Sequence, residues 1–194
     1  MKKLGITGGI GAGKSVVISF LQSMQIPVYI ADEAAKRLMN TSHQIRKQLI
    51  NEFGAAVYEN DCLNKALLTT LIFNQEKNLK LVNAIVHPVV KEDFLSWSKK
   101  YENQPVVALE SAILFESGFH RLMDCVWTVW APTDIRIDRV INRENSDREN
   151  VLKRIENQLP EEEKGRLSDQ IIKNDNIQPL IPQIETLIHT LCQE

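Results

Sequence analysis

The chain has 194 residues, enough for one well-buried core with an inserted subdomain but short for two independent domains. With 43% hydrophobic and 25% charged residues it is not an intrinsically disordered chain. A formal net charge of -2 excludes a global attraction to nucleic acid or to an anionic membrane, so an anionic ligand must be held by local basic groups.

The opening Met1-Lys2-Lys3 followed by Leu4 to Thr7 resembles a secretory n-region, but Gly8, Gly9 and Gly11 cut the apolar run, so no signal peptide is expected. No stretch approaches the roughly 18 uninterrupted apolar residues of a spanning helix, and the chain reads as cytoplasmic, with neither a membrane nor a nucleic-acid partner. Cys62, Cys125 and Cys192 are widely separated and lack CxxC spacing, which predicts reduced, structural thiols in place of disulfides or a zinc site.

In chain order, residues 4–7 form an apolar run ending in glycines, and Val17, Phe20, Leu21 and Met24 then recur at helical spacing: strand, loop, amphipathic helix. Residues 27–30 predict a second strand, after which Asp32 occupies an N-cap position before a helix over 33–39. From Thr41 to about Tyr101 the composition predicts several consecutive helices. Residues 105–110 and 125–130 read as buried strands of a parallel sheet, and 169–173 as a fifth strand. The last helix carries Ile184, Leu187, Ile188 and Leu191 on one face, with Pro182 in its first turn. Strands alternating with helices predict an α/β fold, a doubly wound parallel sheet of about five strands. Its core would comprise residues 1–40, 104–135 and 168–194, with a helical acceptor-binding insertion over 41–103 and a small lid over 136–167.

Residues 8–15, Gly-Gly-Ile-Gly-Ala-Gly-Lys-Ser, match the phosphate-loop pattern GxxxxGK[ST], placed between the first strand and the first helix. Glycines let successive backbone N–H groups, here of Gly11, Ala12, Gly13, Lys14, Ser15 and Val16, turn toward phosphate oxygens. The helix that follows adds its positive dipole end. Lys14 would reach the β- and γ-phosphates of ATP and neutralise charge as the phosphoryl group moves, and the Ser15 hydroxyl would ligand Mg²⁺. The loop alone does not choose among GTPases, motors and kinases. The guanine-specifying Asn-Lys-x-Asp pattern is missing, since Asn64-Lys65-Ala66-Leu67 ends without an acid, which turns the reading toward small-molecule kinases.

Asp32, directly after the second strand, should stand at the carboxyl edge of the sheet where ligands bind, and a carboxylate there can take a hydroxyl proton; N-capping is the alternative. Arg136, Arg139 and Arg143 recur at i, i+3, i+7, a basic face separate from the apolar face of Ile137, Val140 and Ile141. Arg148 and Arg154 follow across a polar segment suited to a lid. The interspersed acids Asp138, Glu144, Asp147 and Glu149 equally fit a solvated charged face. Glu110 and Glu116 flank the exit of the third strand, where a carboxylate can hold Mg²⁺ through water or contact the acceptor, although helix capping explains Glu116 as well. His87, before Pro88 at an expected helix start, suits capping or ligand contact, and Trp97, Trp127 and Trp130 suit packing.

The segments 5–15 and 28–32 resemble the opening of dephospho-coenzyme A kinases. Further along, His87-Pro88, Ile113-Leu114-Phe115-Glu116, the set Arg139, Arg143, Arg148 and Gln158, and Ile172-Lys173-Asn174 are similar to that family's later motifs. Three positions depart from its pattern: Ile30 replaces an acid, Val16 a threonine and Ala112 a proline. The resemblance implies transfer of the ATP γ-phosphate to the ribose 3′-hydroxyl of dephospho-coenzyme A, with Asp32 as the base. It places Arg139 among the catalytic residues, Arg143 and Asn174 at the nucleotide, and His87 and Glu116 at the acceptor. The remaining alternatives are another P-loop kinase, such as one acting on a nucleoside monophosphate, and a nucleotide-binding module without transferase activity.

Overall fold

The computed structural model describes residues 1–72 and 75–193. Phe73 and Asn74, within the helical stretch expected over 41–103, and Glu194 lie outside the described residues. The chain divides into two compact units, one of Met1–Tyr29 with Tyr101–Glu194 and one of Ile30–Lys100.

The first unit is built on a five-stranded sheet whose strands all fall where apolar runs predict them. They are β1 (Lys2–Thr7), β2 (Val28–Ile30), β5 (Val106–Glu110), β6 (Cys125–Trp130) and β7 (Gln170–Lys173), in the order β2-β5-β1-β6-β7. β1 pairs in parallel with β5 (Leu4 opposite Ala108) and with β6 (Ile6 opposite Trp127), and β6 pairs in parallel with β7 (Val129 opposite Ile172). Alternation puts Leu4, Ile6, Val106, Ala108, Trp127, Val129 and Ile172 on one face. There they bury against Val17 and Leu21 of α1 (Lys14–Ser23) and Ile184, Ile188 and Leu191 of α9 (Leu180–Gln193). Each such fully buried large side chain contributes about 1.5–3 kcal/mol by leaving water, so this layer fixes the sheet edge that carries the loop after β1. α6 (Thr133–Glu144), α7 (Arg148–Glu156) and α8 (Glu161–Leu167) follow β6. Ile137, Val140 and Val151 make a small core of their own, against which Ile10 packs.

The second unit holds α2 (Ala31–Thr41), α3 (His43–Phe53), α4 (Lys65–Ile72) and α5 (Glu76–Lys99) around Leu38, Ile45, Leu49, Leu68, Ile85, Val86 and Phe94. Ser42 caps α3 by accepting from the Ile45 N–H at 3.3 Å. Between α3 and α4 lies a hairpin that the composition of 41–101 did not suggest, β3 (Tyr58–Glu59) against β4 (Cys62–Leu63). Its turn residues Asn60 and Asp61 both adopt left-handed conformations, φ 48° and 62°, the mirror-image turn that joins tight hairpins. Arg46 braces it, pairing with Asp61 at 2.8 Å and lying 4.9 Å from the Tyr58 ring centroid, while the Tyr58 hydroxyl donates to the Met39 carbonyl.

Cys62 and Cys192, expected to be structural, are exposed and so are not core residues, while Cys125 is partly buried at the start of β6. Among the described residues no helix is long and apolar enough to cross a membrane.

Candidate active site

β1 delivers the chain to the phosphate loop and α1 takes it away, with Gly13 at the N-cap in a left-handed conformation, φ 96°. A side chain at Gly13 would be strained there and would fall on the Asn174 amide. Every carbonyl from Gly8 to Gly13 accepts a hydrogen bond from the protein. Lys14 Nζ donates to Gly8 O at 2.9 Å and Gly9 O at 3.5 Å, and the Ala12 N–H also reaches Gly9 O at 3.1 Å. Arg136 Nε takes Ile10 O at 3.0 Å, and Arg139 Nη1 reaches Gly11 O and Ala12 O at 3.4 Å each. Asn174 Nδ2 takes Ala12 O at 2.8 Å, and the Val16 N–H takes Gly13 O at 3.1 Å. With the carbonyls committed, the groups the loop offers to an anion are N–H donors. The N–H groups of the first turn of α1, for which the helix has no carbonyls, join them.

Arg139 is fastened on its other side too, Nη2 donating to the Asn174 carbonyl at 3.1 Å and to Asn176 Oδ1 at 2.7 Å. The segment just beyond β7 and α6 therefore meet at the loop through Arg139. Arg136 is different. The spacing put it on a basic face separate from the core positions, yet it is 2% exposed and ion-paired with buried Glu161 at 3.6 Å. Arg143 lies at the exposed end of α6, paired with Glu144, and Arg148 pairs with Asp134 at 2.9 Å.

At the carboxyl end of β5, buried Glu110 faces Lys14 Nζ at 3.7 Å. Glu116 caps no helix. Its carboxylate accepts from the Leu159 N–H at 2.8 Å and faces Lys164 Nζ at 3.5 Å. Lys164 is fully buried and donates to the Ala112 carbonyl at 2.7 Å. Burial pulls its pKa below the ordinary lysine range, Glu116 and Glu161 oppose that, and Lys14 reinforces it.

The sequence profile of the dephospho-CoA kinase family matches residues 3–179. The chain belongs to the dephospho-CoA kinase family. It is 45% identical to the dephospho-CoA kinase of Bacteroides fragilis (strain YCH46), over 99% of this chain and 94% of that one. It is 40% identical to the enzyme of the same name from Porphyromonas gingivalis, over 98% and 95%. Among solved structures, TT1252 from Thermus thermophilus is 32% identical with TM-score 0.82, covering 99% of this chain and 97% of that chain. The dephospho-CoA kinase from Campylobacter jejuni shares the fold at 21% identity and TM-score 0.71, over 98% and 97%.

The family's loop, Arg139 and Asn174 are thus brought together in the first unit, while Asp32 and His87 belong to the second. Asp32 is not an N-cap. α2 starts one residue earlier, Ile30 holds the cap position without a side-chain bond, and Asp32 sits exposed in the first turn. His87 is likewise not at a helix start, because α5 begins eleven residues before it and carries Pro88 in its interior. There Pro88 has no N–H to offer the Ala84 carbonyl. Lys164, Glu161 and the loop contact of Gln158, which accepts from the Ile10 N–H at 3.0 Å, are site features that sequence reasoning missed. The run Glu161-Glu162-Glu163-Lys164 reads as a solvated helix start, and the resemblance of Gln158 to a family position was the signal available.

Burial holds the His87 imidazole below its ordinary pKa of 6.5, neighbouring Lys91 pushes the same way, and Asp32 pulls against both. The unfolded chain therefore takes up this proton at higher pH than the folded one, and acidification through and below about pH 6.5 favours unfolding. Tm is expected to fall over that window, and His87→Gln to flatten that part of the Tm profile; an unchanged profile in the variant would refute the assignment.

Proposed function

We propose that the chain transfers the γ-phosphate of ATP to the ribose 3′-hydroxyl of dephospho-CoA, giving CoA and ADP. The observation that carries this reading is the loop whose carbonyls are all held by the protein, in a chain of the dephospho-CoA kinase family. The 3′-oxygen attacks the γ-phosphorus as the bond from that phosphorus to the β,γ-bridging oxygen breaks, and the hydroxyl proton passes to the Asp32 carboxylate. In a loose transition state positioning and neutralisation dominate, so Asp32 orients the hydroxyl and takes the proton late. Lys14 follows the charge from γ- to β-phosphate, exchanging its carbonyl and Glu110 contacts for phosphate oxygens.

Arg139, already drawn to the loop, neutralises phosphate charge, and Gly11 to Val16 supply N–H donors, those of Ala12 and Val16 by sharing or giving up their bonds to Gly9 O and Gly13 O. Asn174 lines the nucleotide side, and Arg143 serves there after leaving Glu144. His87 contacts the acceptor, and Glu116 supports it from its bond to Leu159. For Mg²⁺, a hard cation that keeps several waters, the donors fit. Ser15 lies in the first turn of α1 and Glu110 ends β5, so a hydroxyl and a carboxylate are the groups that would hold the ion, directly or through water. When bound, the ion supplies charge neutralisation between the β- and γ-phosphates. Three widely separated cysteines without CxxC spacing support a reducing cytoplasmic setting.

The test is ADP release coupled to a reporter. Release is expected with dephospho-CoA and only at background with AMP or without acceptor. Equal release under all three conditions, or preference for AMP, would overturn the assignment.

A further inference from the structure

The ion pair between Arg136 and Glu161 takes no part in the proposed chemistry, yet both residues are buried, at 2% and 8% exposure. It is a poor pair energetically. The closest approach is 3.6 Å, and neither carboxylate oxygen of Glu161 accepts a hydrogen bond. Charges taken out of water recover their desolvation cost only with good geometry and satisfied lone pairs, so stability does not explain this arrangement.

Its position does. Arg136 touches three consecutive loop residues. Its guanidinium, with the Glu161 carboxylate, fills the space that a Cβ on Gly9 would take; its Nε donates to Ile10 O at 3.0 Å; and its backbone carbonyl packs on Gly11. The same peptide region is held from the other side. Gln158 Oε1 accepts from the Ile10 N–H at 3.0 Å, and the Ile10 side chain is packed against Ile137, Val140 and Val151. Ile10 is therefore fixed through its donor, its acceptor and its side chain.

We propose that Arg136 is a positioning residue for phosphoryl transfer, seated on Gly9, Ile10 and Gly11 to set the direction of the loop's peptide groups, with Glu161 retained to hold the guanidinium there. The inference rests on the reading of residues 8–15 as the ATP phosphate site and is independent of the acceptor. A misplacement of about 1 Å in a positioning element can lower rates by about 10²-fold, which sets the scale of the effect.

The experiment compares wild type, Arg136→Met and the double variant Arg136→Met/Glu161→Leu. It uses thermal unfolding, calorimetric titration with ATP alone, and steady-state kinetics. The single variant strands a buried carboxylate and is expected to lose stability, whereas the double variant removes both charges and should match or exceed the wild-type Tm. Even so, the double variant should bind ATP about tenfold or more weakly and lose kcat/KM for ATP in proportion, with KM for dephospho-CoA within about twofold. A folded double variant with wild-type ATP affinity would overturn the inference, and so would a double variant whose Tm falls as far as the single one, since the pair would then serve stability. Failure of the wild-type protein to bind ATP would overturn the reading of the loop itself. Turnover with a different acceptor would overturn only the proposed substrate.

Discussion

Asp32→Asn is expected to leave ATP binding intact and to lower turnover with dephospho-CoA by roughly 10²–10⁴-fold, the range of a general-base contribution. Asn keeps the size of the side chain and removes its charge. The competing explanation for an acid after β2 was helix capping, but the cap position of α2 is Ile30, and Asp32 makes no capping bond. What Asp32 gives α2 is a negative charge in the first turn, worth about 0.3–1 kcal/mol at an exposed position. The Tm of the variant should therefore move only slightly while its rate collapses. Measured at saturating ATP and acceptor, a loss of less than about fivefold would remove Asp32 from the chemistry.

Lys14→Ala is expected to cost roughly 10²–10³-fold or more in turnover, the scale of removing one preorganised charge-stabilising group. Lys14 Nζ is held by Gly8 O at 2.9 Å and faces Glu110 at 3.7 Å, so its ammonium is already at the mouth of the loop before any phosphate arrives. Truncation also deprives buried Glu110 of that cation, and some loss of Tm is expected with it. The two effects separate by temperature. If assays well below the variant's Tm still give near-wild-type turnover, the loop does not handle phosphate in the way proposed.

The sheet was legible because each strand is a short apolar run bounded by glycine, proline or polar residues, and periodicity alone then places α1 and α9. The loop was legible because its spacing is a backbone requirement. What was not legible depended on tertiary context. Arg136, Arg139 and Arg143 do share a side of α6, but they are spread over roughly 10 Å of its axis at 1.5 Å per residue. Depth decides their fates: Arg136 is beneath the loop, Arg139 at its rim, Arg143 in solvent. Pro88 reads locally as a helix start, yet packing of Ile85, Val86, Val89 and Val90 on either side holds α5 together across a missing rung. Strands of two residues around Asn60-Asp61 are too short to show any period. A lysine after three glutamates gives no sign that it will be buried, since only the Ala112 carbonyl and Glu116, about fifty residues away in sequence, make its burial tolerable.

A cradle whose carbonyls are all turned to the protein recognises anionic charge and the spacing of phosphate oxygens; it carries no information about the base beyond them. Selection of adenine has to be made by other segments, such as residues 174–176 where Arg139 is fastened. The β-phosphate that such a loop grips is present in reactant and product nucleotide alike, so on the proposed reaction ADP keeps the same hold that ATP had. Retention of the spent nucleotide is then a built-in feature of the cradle, and its departure competes with chemistry for control of the cycle.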